Sequence, residues 1–179
     1  MSWTSRGLRG SALEELIDMT NQKYRERALA LVKKIPTPIT PVKFDNDTRT
    51  ISLAYFGDKS TVDYIGAAQG LPICFDAKEV DRKYLPLQNI HAHQIEFMEE
   101  FEKQGGIAFL IVHFKNTGEF FYLPFDQLKR FWEKAKAGGR KSIPYEDFDR
   151  QYLVHNKTGF YIHYLEALNI DLGSREVRK

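Results

Sequence analysis

The chain has one cysteine, Cys74, among 179 residues. That excludes an intrachain disulfide framework and fits a reducing compartment. Long apolar runs are also missing. The longest, residues 107–112, falls far short of the roughly 20 residues a membrane helix needs, so no membrane partner is expected. No apolar segment follows Arg6 and Arg9 in the first ten residues, so no signal peptide is expected and a cytoplasmic location is. There is no internal repeat and no low-complexity stretch. An excess of one charge is lacking too, with 26 Lys+Arg against 24 Asp+Glu and a formal net charge of +2. That balance stands against a nucleic-acid binder, whose domain is typically strongly basic. What is present, 42% hydrophobic and 28% charged residues, describes a globular chain long enough to bury one good core.

The first ten residues read as a flexible basic arm, and residues 11–179 as one domain. Leu13, Leu16, Ile17, Thr20, Tyr24, Ala28 and Leu31 share a helical stripe, which predicts a helix over residues 11–33. Pro36 and Pro38 end it. Two β-segments, 39–44 and 48–56, flank Asp45-Asn46-Asp47 and read as a hairpin. Strands are expected at 60–68, 71–78, 107–114 and 119–123. Helices are expected at 89–104, 125–137 and 161–169, with a short one near 145–150. The order implies an α/β fold, a mixed central β-sheet flanked by helices.

The chemistry concentrates around Gln69-Gly70, the tightest turn signal between the third and fourth strands. If those two residues form the loop, Ala68 pairs with Leu71 and partner numbers sum to 139. Asp63 and Asp76 satisfy that sum, so they stand opposite each other on one face. Lys78 shares that face by strand alternation. Pro72 must then occupy an unpaired side of its strand. Opposed like charges are destabilising unless neutralised, and a divalent cation with hard oxygen ligands, Mg²⁺ in particular, would do that. Lys78 could orient an attacking water or stabilise charge on a phosphate. An acid followed by acid-x-Lys also occurs by chance, and a solvated hairpin face is the plain alternative.

Other polar residues have two readings each. Gln94 lies on the second helix's apolar stripe, between Ile90 and Phe97, either at a solvated helix start or aimed at a polar site. Glu14 lies about 90° from the first helix's apolar stripe and can reach over the sheet, with Asn21 on the same shoulder; an ordinary polar flank is the alternative. His91 and His93 are two apart, which in a helix puts them on different faces and excludes a shared metal. His113 reads as a satisfied core histidine and Cys74 as a packing residue.

At these residues the sequence resembles the RecU family of Holliday-junction resolvases, within the PD-(D/E)xK nuclease superfamily. The likeness runs from Arg6 to about Lys141. Its marks are an Arg-Gly start with Leu13-Glu14 and Asn21, Pro36-Thr37-Pro38, Ala54-Tyr55-Phe56, and Ser60-Thr61-Val62-Asp63-Tyr64 with Phe75-Asp76-Ala77-Lys78-Glu79. The longest match is Leu87-Gln88-Asn89-Ile90-His91-Ala92-His93-Gln94-Ile95-Glu96, and Gly139-Arg140-Lys141-Ser142-Ile143 closes it. The resemblance implies a restriction-endonuclease-like fold and a Mg²⁺-dependent endonuclease, with Mn²⁺ as a substitute. It implies a symmetric homodimer that nicks two strands of like polarity at a four-way DNA junction in recombination and repair, alongside a recombinase or branch-migration helicase.

By that resemblance Asp63 and Asp76 are metal ligands and Lys78 is the catalytic lysine. Glu14 supports the metal from outside, Gln94 joins the site's polar rim, and residues 39–56 form the family's stalk. This chain departs in having Asp76 where glutamate is usual, Val62 where threonine is common, and a somewhat shorter stalk loop. The last thirty-odd residues carry little of the likeness. A nuclease acting on other DNA, and a non-catalytic junction-binding or recombination-regulating protein, both stay open.

Arg6, Arg9, Lys33, Lys34, Lys43, Arg49, Arg140 and Lys141 are the expected phosphate contacts, which position DNA without reading its sequence. A solvated surface charge is the alternative for each. The charge distribution removes the earlier objection to DNA: residues 1–44 carry net +4, residues 45–104 net −5 and residues 105–179 net +3. An acidic middle holding the carboxylates masks two basic ends.

Overall fold

The computed structural model describes residues 12–57, 61–157 and 159–176. A six-stranded sheet runs in the order β1-β4-β5-β7-β8-β10. Its strands are β1 (Ala30–Lys34), β4 (Tyr64–Ala68), β5 (Leu71–Val80), β7 (Ile107–Phe114), β8 (Glu119–Pro124) and β10 (Leu153–Val154). β5 and β7 run parallel, joined through helix α2 (Ala92–Lys103), while the other neighbours in the sheet are antiparallel. The sheet is therefore mixed and covered by helices, as the element order implies. Among the described residues no helix is long and apolar enough to cross a membrane.

Alternation along β5 and β7 divides the core in two. Ile73, Phe75, Phe109 and Ile111 face α1 (Ala12–Glu26) and α4 (Tyr164–Glu176), packing with Leu13, Ile17, Tyr24, Tyr164 and Leu168. Cys74, Ala108, Leu110 and Val112 face α2 and α3 (Phe125–Lys136), packing with Ile95, Met98, Phe125 and Leu128. On the first side four aromatic rings cross four strands in a row. Tyr64, Phe75, Phe109 and Tyr122 stack at centroid separations of 4.8, 4.7 and 4.3 Å. Because a one-residue slip would turn each ring to the other face, this row fixes the strand register.

The expected hairpin forms a separate two-stranded sheet, β2 (Ile39–Asp45) with β3 (Thr50–Phe56). Asp45 Oδ1 accepts the Asp47 and Thr48 amides to close its turn. β6 (Tyr84–Pro86) pairs with β9 (Ser142–Pro144) in a further short ribbon. Pro72 lies opposite Ala67, one residue before the β5–β7 ladder begins at Ile73, so its missing amide falls outside the doubly paired part of the strand.

The first helix departs from expectation. It ends at Glu26, and Ala28 takes a left-handed φ of 52°. Residues 30–34 then form β1, with Ala30 and Val32 turned inward and Leu31 exposed. Ala28 and Leu31 continue the helical stripe by numerical coincidence, and pairing with β4 overrides it. Gly66 makes that pairing possible, because a Cβ there would sit 2.2 Å from the Leu31 carbonyl oxygen. The last helix lies later than expected, at Tyr164–Glu176 rather than 161–169. Tyr122 and Arg175 both bind Asp171 there, at 2.8 and 3.0 Å. The short helix expected near 145–150 is two 3-10 turns, Tyr145–Asp147 and Arg150–Tyr152.

Candidate active site

The Gln69-Gly70 loop and the 139 sum hold along the whole β4–β5 ladder, from Ala68↔Leu71 to Tyr64↔Phe75. One step further the sum brings Asp63 to Asp76. The two meet reciprocally: the Asp63 amide donates to Asp76 Oδ1 at 2.7 Å, and the Ala77 amide donates to Asp63 Oδ2 at 3.0 Å. Each aspartate thus occupies an amide of the other strand where the regular ladder stops. Tyr64 and Phe75, one residue from each, point to the opposite face into the aromatic row, which sets the direction of both carboxylates.

Asp76 is fully buried and belongs to the layer beneath α2. Its second oxygen accepts from Lys78 Nζ at 2.8 Å and from the Gln94 side-chain amide. Gln94 is itself buried, and its carbonyl accepts the His91 amide at 3.0 Å, which leaves its NH₂ aimed at Asp76. Gln94 sits on the apolar stripe because the polar site lies directly beneath that stripe. Asp63 is partly exposed, and its carboxyl is pushed up to about 6. Burial is the larger cause, the Asp76 carboxylate the next; the Ala77 amide and Lys78 pull the other way.

The donor set fits a hard divalent cation. Two carboxylates face each other, one of them holds its proton more tightly than usual, and a cation would relieve that repulsion. Among the described residues no group of three or more His, Cys, Asp and Glu gathers around one point; Asp63 and Asp76 are the two acidic groups that meet at this end of the ladder. Val62, beside Asp63, is buried in the apolar layer with Cys74, Val80 and Leu85.

The remaining candidates are placed as follows. Glu14 lies on α1, the opposite layer from Gln94, and its carboxylate is 3.1 Å from Lys34. Lys34 pairs with Tyr64, and the next residue, Ile35, donates its amide to the Asp63 carbonyl. Glu14 therefore borders the site through Lys34. Asn21 is buried and accepts from the Tyr164 hydroxyl at 2.6 Å, so it joins α1 to α4 instead of reaching over the sheet to the carboxylates. Burial pushes the Tyr64 hydroxyl well up, and Asp18, one helical turn beyond Glu14, interacts with it and adds to that rise; its i+4 spacing was the available signal.

His91 precedes α2 as its N-cap, so its ring does meet that of His93, stacked at 5.3 Å, contrary to the helical-spacing argument. His113 is satisfied by Glu79 at 3.0 Å. Cys74 is buried, and burial pushes its thiol well up.

Of the expected phosphate contacts, Lys33 lies on edge strand β1, Lys43 and Arg49 on the hairpin, and Arg140 and Lys141 in the loop after α3, all exposed. Lys34 is committed to Glu14. Arg6 and Arg9 lie outside the described residues.

Comparison with known proteins gives a consistent picture. The family model described as RecU, Recombination protein U, matches residues 8–170. A Holliday junction resolvase RecU from Oenococcus oeni is 41% identical over 167 residues, covering 90% of this chain and 85% of that protein. One from Geobacillus kaustophilus is 44% identical over 146 residues, 79% of this chain and 73% of the relative. The solved structure of Archaeoglobus fulgidus Hjc, a Holliday junction resolvase, aligns at a TM-score of 0.40. That alignment has 12% identity over 65% of this chain and 78% of the other, a likeness too loose to bear on the site.

Proposed function

The chain belongs to the Recombination protein U (RecU) family, and from that membership together with the Asp63–Asp76 clasp we infer that it is an endodeoxyribonuclease resolving four-way DNA junctions. It works by Mg²⁺-assisted hydrolysis, with paired nicks made by a homodimer in recombination and repair. The observation that carries the chemistry is the clasp: two opposed carboxylates, with Lys78 and Gln94 both on Asp76.

Asp63 and Asp76 would hold the Mg²⁺, with Mn²⁺ as substitute. When bound it supplies Lewis-acid polarisation of the phosphate and neutralises charge in the transition state. The chain's own groups divide the remaining work. The Asp63 and Ala77 amides hold the two carboxylates in place, so little reorganisation is needed at the moment of reaction. Gln94, fixed by the His91 amide, keeps Asp76 from rotating. Lys78, its ammonium 2.8 Å from Asp76 Oδ2, reaches toward the attacking water or the charge growing on phosphate. Glu14 tethers Lys34 at the margin. The hairpin 39–56 serves as the stalk that meets the branch point, with Lys43 and Arg49 on phosphates. Lys33, Arg140, Lys141 and the arm residues Arg6 and Arg9 add further phosphate contacts, so affinity falls steeply with salt.

The test is direct. A labelled four-way junction incubated with the protein and Mg²⁺ should give paired symmetric nicks, and a linear duplex competitor should leave them largely intact. Asp63→Asn should abolish nicking and keep junction binding. Mg²⁺-dependent nicking by that variant would sink the assignment.

A further inference from the structure

Away from the carboxylates, β6, the C-terminal half of α3 and the loop before β9 enclose a groove of about 730 Å³. That volume lies in the range that admits a small organic ligand. Four cations line it, Arg82, Lys136, Arg140 and Lys141, together with the rings of Tyr84 and Trp132, and no acidic side chain is among its lining residues. Among the described residues none of the four forms an ion pair, although the surface nearby is rich in them. Instead they rest on neutral groups. Lys136 Nζ lies 5.7 Å from the centre of the Trp132 ring, and Arg82 lies over Tyr84, donating to its hydroxyl at 2.9 Å. Arg140 donates to Ser142 Oγ at 3.0 Å.

Cations held in no ion pair beside aromatic faces are the combination that holds single-stranded nucleic acid, with phosphates on the charges and bases on the rings. Backbone phosphates of a paired duplex would use the charges but leave the indole without a role. The groove is also built from the same chain segments as the site. β5 carries Asp76 and Lys78, and Arg82 follows six residues after Asp76 and four after Lys78, at most about 20 and 13 Å away at the rise of a strand. The wall opposite, residues 87–90, leads into the helix carrying Gln94.

We propose that this groove receives an unpaired nucleotide of the strand bound at the carboxylate site, its base stacked on Trp132 and its phosphates on Lys136, Arg140, Lys141 and Arg82. The inference rests on the reading of the chain as a DNA-cleaving enzyme. It adds that the enzyme holds DNA whose pairing is interrupted a few nucleotides from the cleaved bond. Lys136 leaves the indole for a phosphate as the base takes its place.

The experiment measures binding in EDTA, where no cleavage occurs. The protein carries Trp3→Phe, so that Trp132, the other of two tryptophans, is the sole indole reporter. A fluorescein-labelled oligothymidylate is compared with an abasic strand of equal length and with a duplex. The expected result is quenching of Trp132 by the thymidylate alone and roughly five- to hundredfold tighter binding of it than of the abasic strand. Trp132→Phe should keep most of that ratio and Trp132→Ala should lose it. The double variant R140A/K141A should weaken both strands alike.

Equal affinity for the two strands with no difference in quenching would overturn the proposal. So would competition by the duplex as strong as by the single strand, which would mean that phosphates alone are bound. The quenching comparison needs no Trp132 variant, so a misfolded one leaves the test intact. Junction nicking with Mg²⁺, measured on the same protein, separates the two readings. Nicking without base preference overturns the groove alone, and base preference without nicking overturns the resolvase reading alone.

Discussion

Two hairpins of this molecule are made from similar residues and have opposite fates. In β4–β5 residues 73–76 are buried on both faces, and Asp76 is 0% exposed with both carboxylate oxygens bonded. β2–β3 has every described side chain of β2 exposed, and Phe44 and Tyr55 stand 54% and 66% open. Their aspartates show the contrast in miniature. Asp63 has its carboxyl pushed up by burial and by Asp76, whereas Asp45 is held below the usual range by its hydrogen bonds to Thr48 and Asp47. One hairpin spends its packing on fixing a reactive group to fractions of an ångström. The other is held by its own ladder and turn and leaves its apolar side chains exposed. Chemistry needs the first arrangement and recognition of a shape uses the second.

The largest expected effect breaks the buried hairpin's function without its fold. Asp63→Asn should reduce Mg²⁺-dependent nicking by about a thousandfold or more, with junction affinity within about threefold of wild type, since metal-assisted and electrostatic terms of this kind carry several kcal/mol. Gel assays of nicking and anisotropy titrations check the two halves. Gln94→Leu comes next. It leaves Asp76 with Lys78 as its one side-chain donor, and should cost about ten- to a hundredfold in activity, as loss of a group orienting a metal ligand typically does; activity as a function of Mg²⁺ concentration should shift to higher values.

Packing sharpens the comparison further. Leu110→Ala, in the fully buried part of β7, should lower stability by about 2–5 kcal/mol. Leu53→Thr on the exposed hairpin should change it by about 0.5 kcal/mol or less while reducing preference for a junction over a duplex. Denaturant melts and competition binding read these out, and a large stability loss from Leu53→Thr would refute the hairpin's independence.

The smallest effect is at the hairpin turn. A depressed carboxyl stabilises the fold above its unfolded pKa, and that contribution is lost as pH falls through the folded value. Asp45→Asn should therefore loosen the hairpin at neutral pH and differ little from wild type in acid, once the Asp45 carboxyl is protonated in the folded chain. Amide exchange of residues 47–50 measures it.

The contrast also explains what the sequence could and could not reveal. The 139 register was readable because a two-residue turn and strict alternation are local rules, and Asp63, Asp76 and Lys78 follow from it. The partnership of Gln94 with Asp76 was half readable: periodicity put Gln94 on the buried stripe, but only the fold shows that a carboxylate lies underneath. β1 was not readable. Its two inward residues, Ala30 and Val32, are too few to signal a strand, and the reason it is one lies 35 residues from Leu31, where Gly66 admits the Leu31 carbonyl. The bond from Tyr164 to Asn21 was unreadable for a similar reason, since the two are 143 residues apart. The groove cations come from two stretches of chain, Arg82 and residues 136–141, that no spacing rule connects.

The crossed amides at the carboxylate pair carry a consequence for safety. Asp63 takes an amide of β5 and Asp76 takes one from the strand opposite, so assembling the site and closing the ladder are a single act. A chain that pairs one residue out of step turns one aspartate to the far side of the sheet and cannot form the clasp. An immature or damaged copy is thereby disarmed by the same error that misfolds it. In this member of the RecU family, assembly of the carboxylate pair is licensed by correct folding.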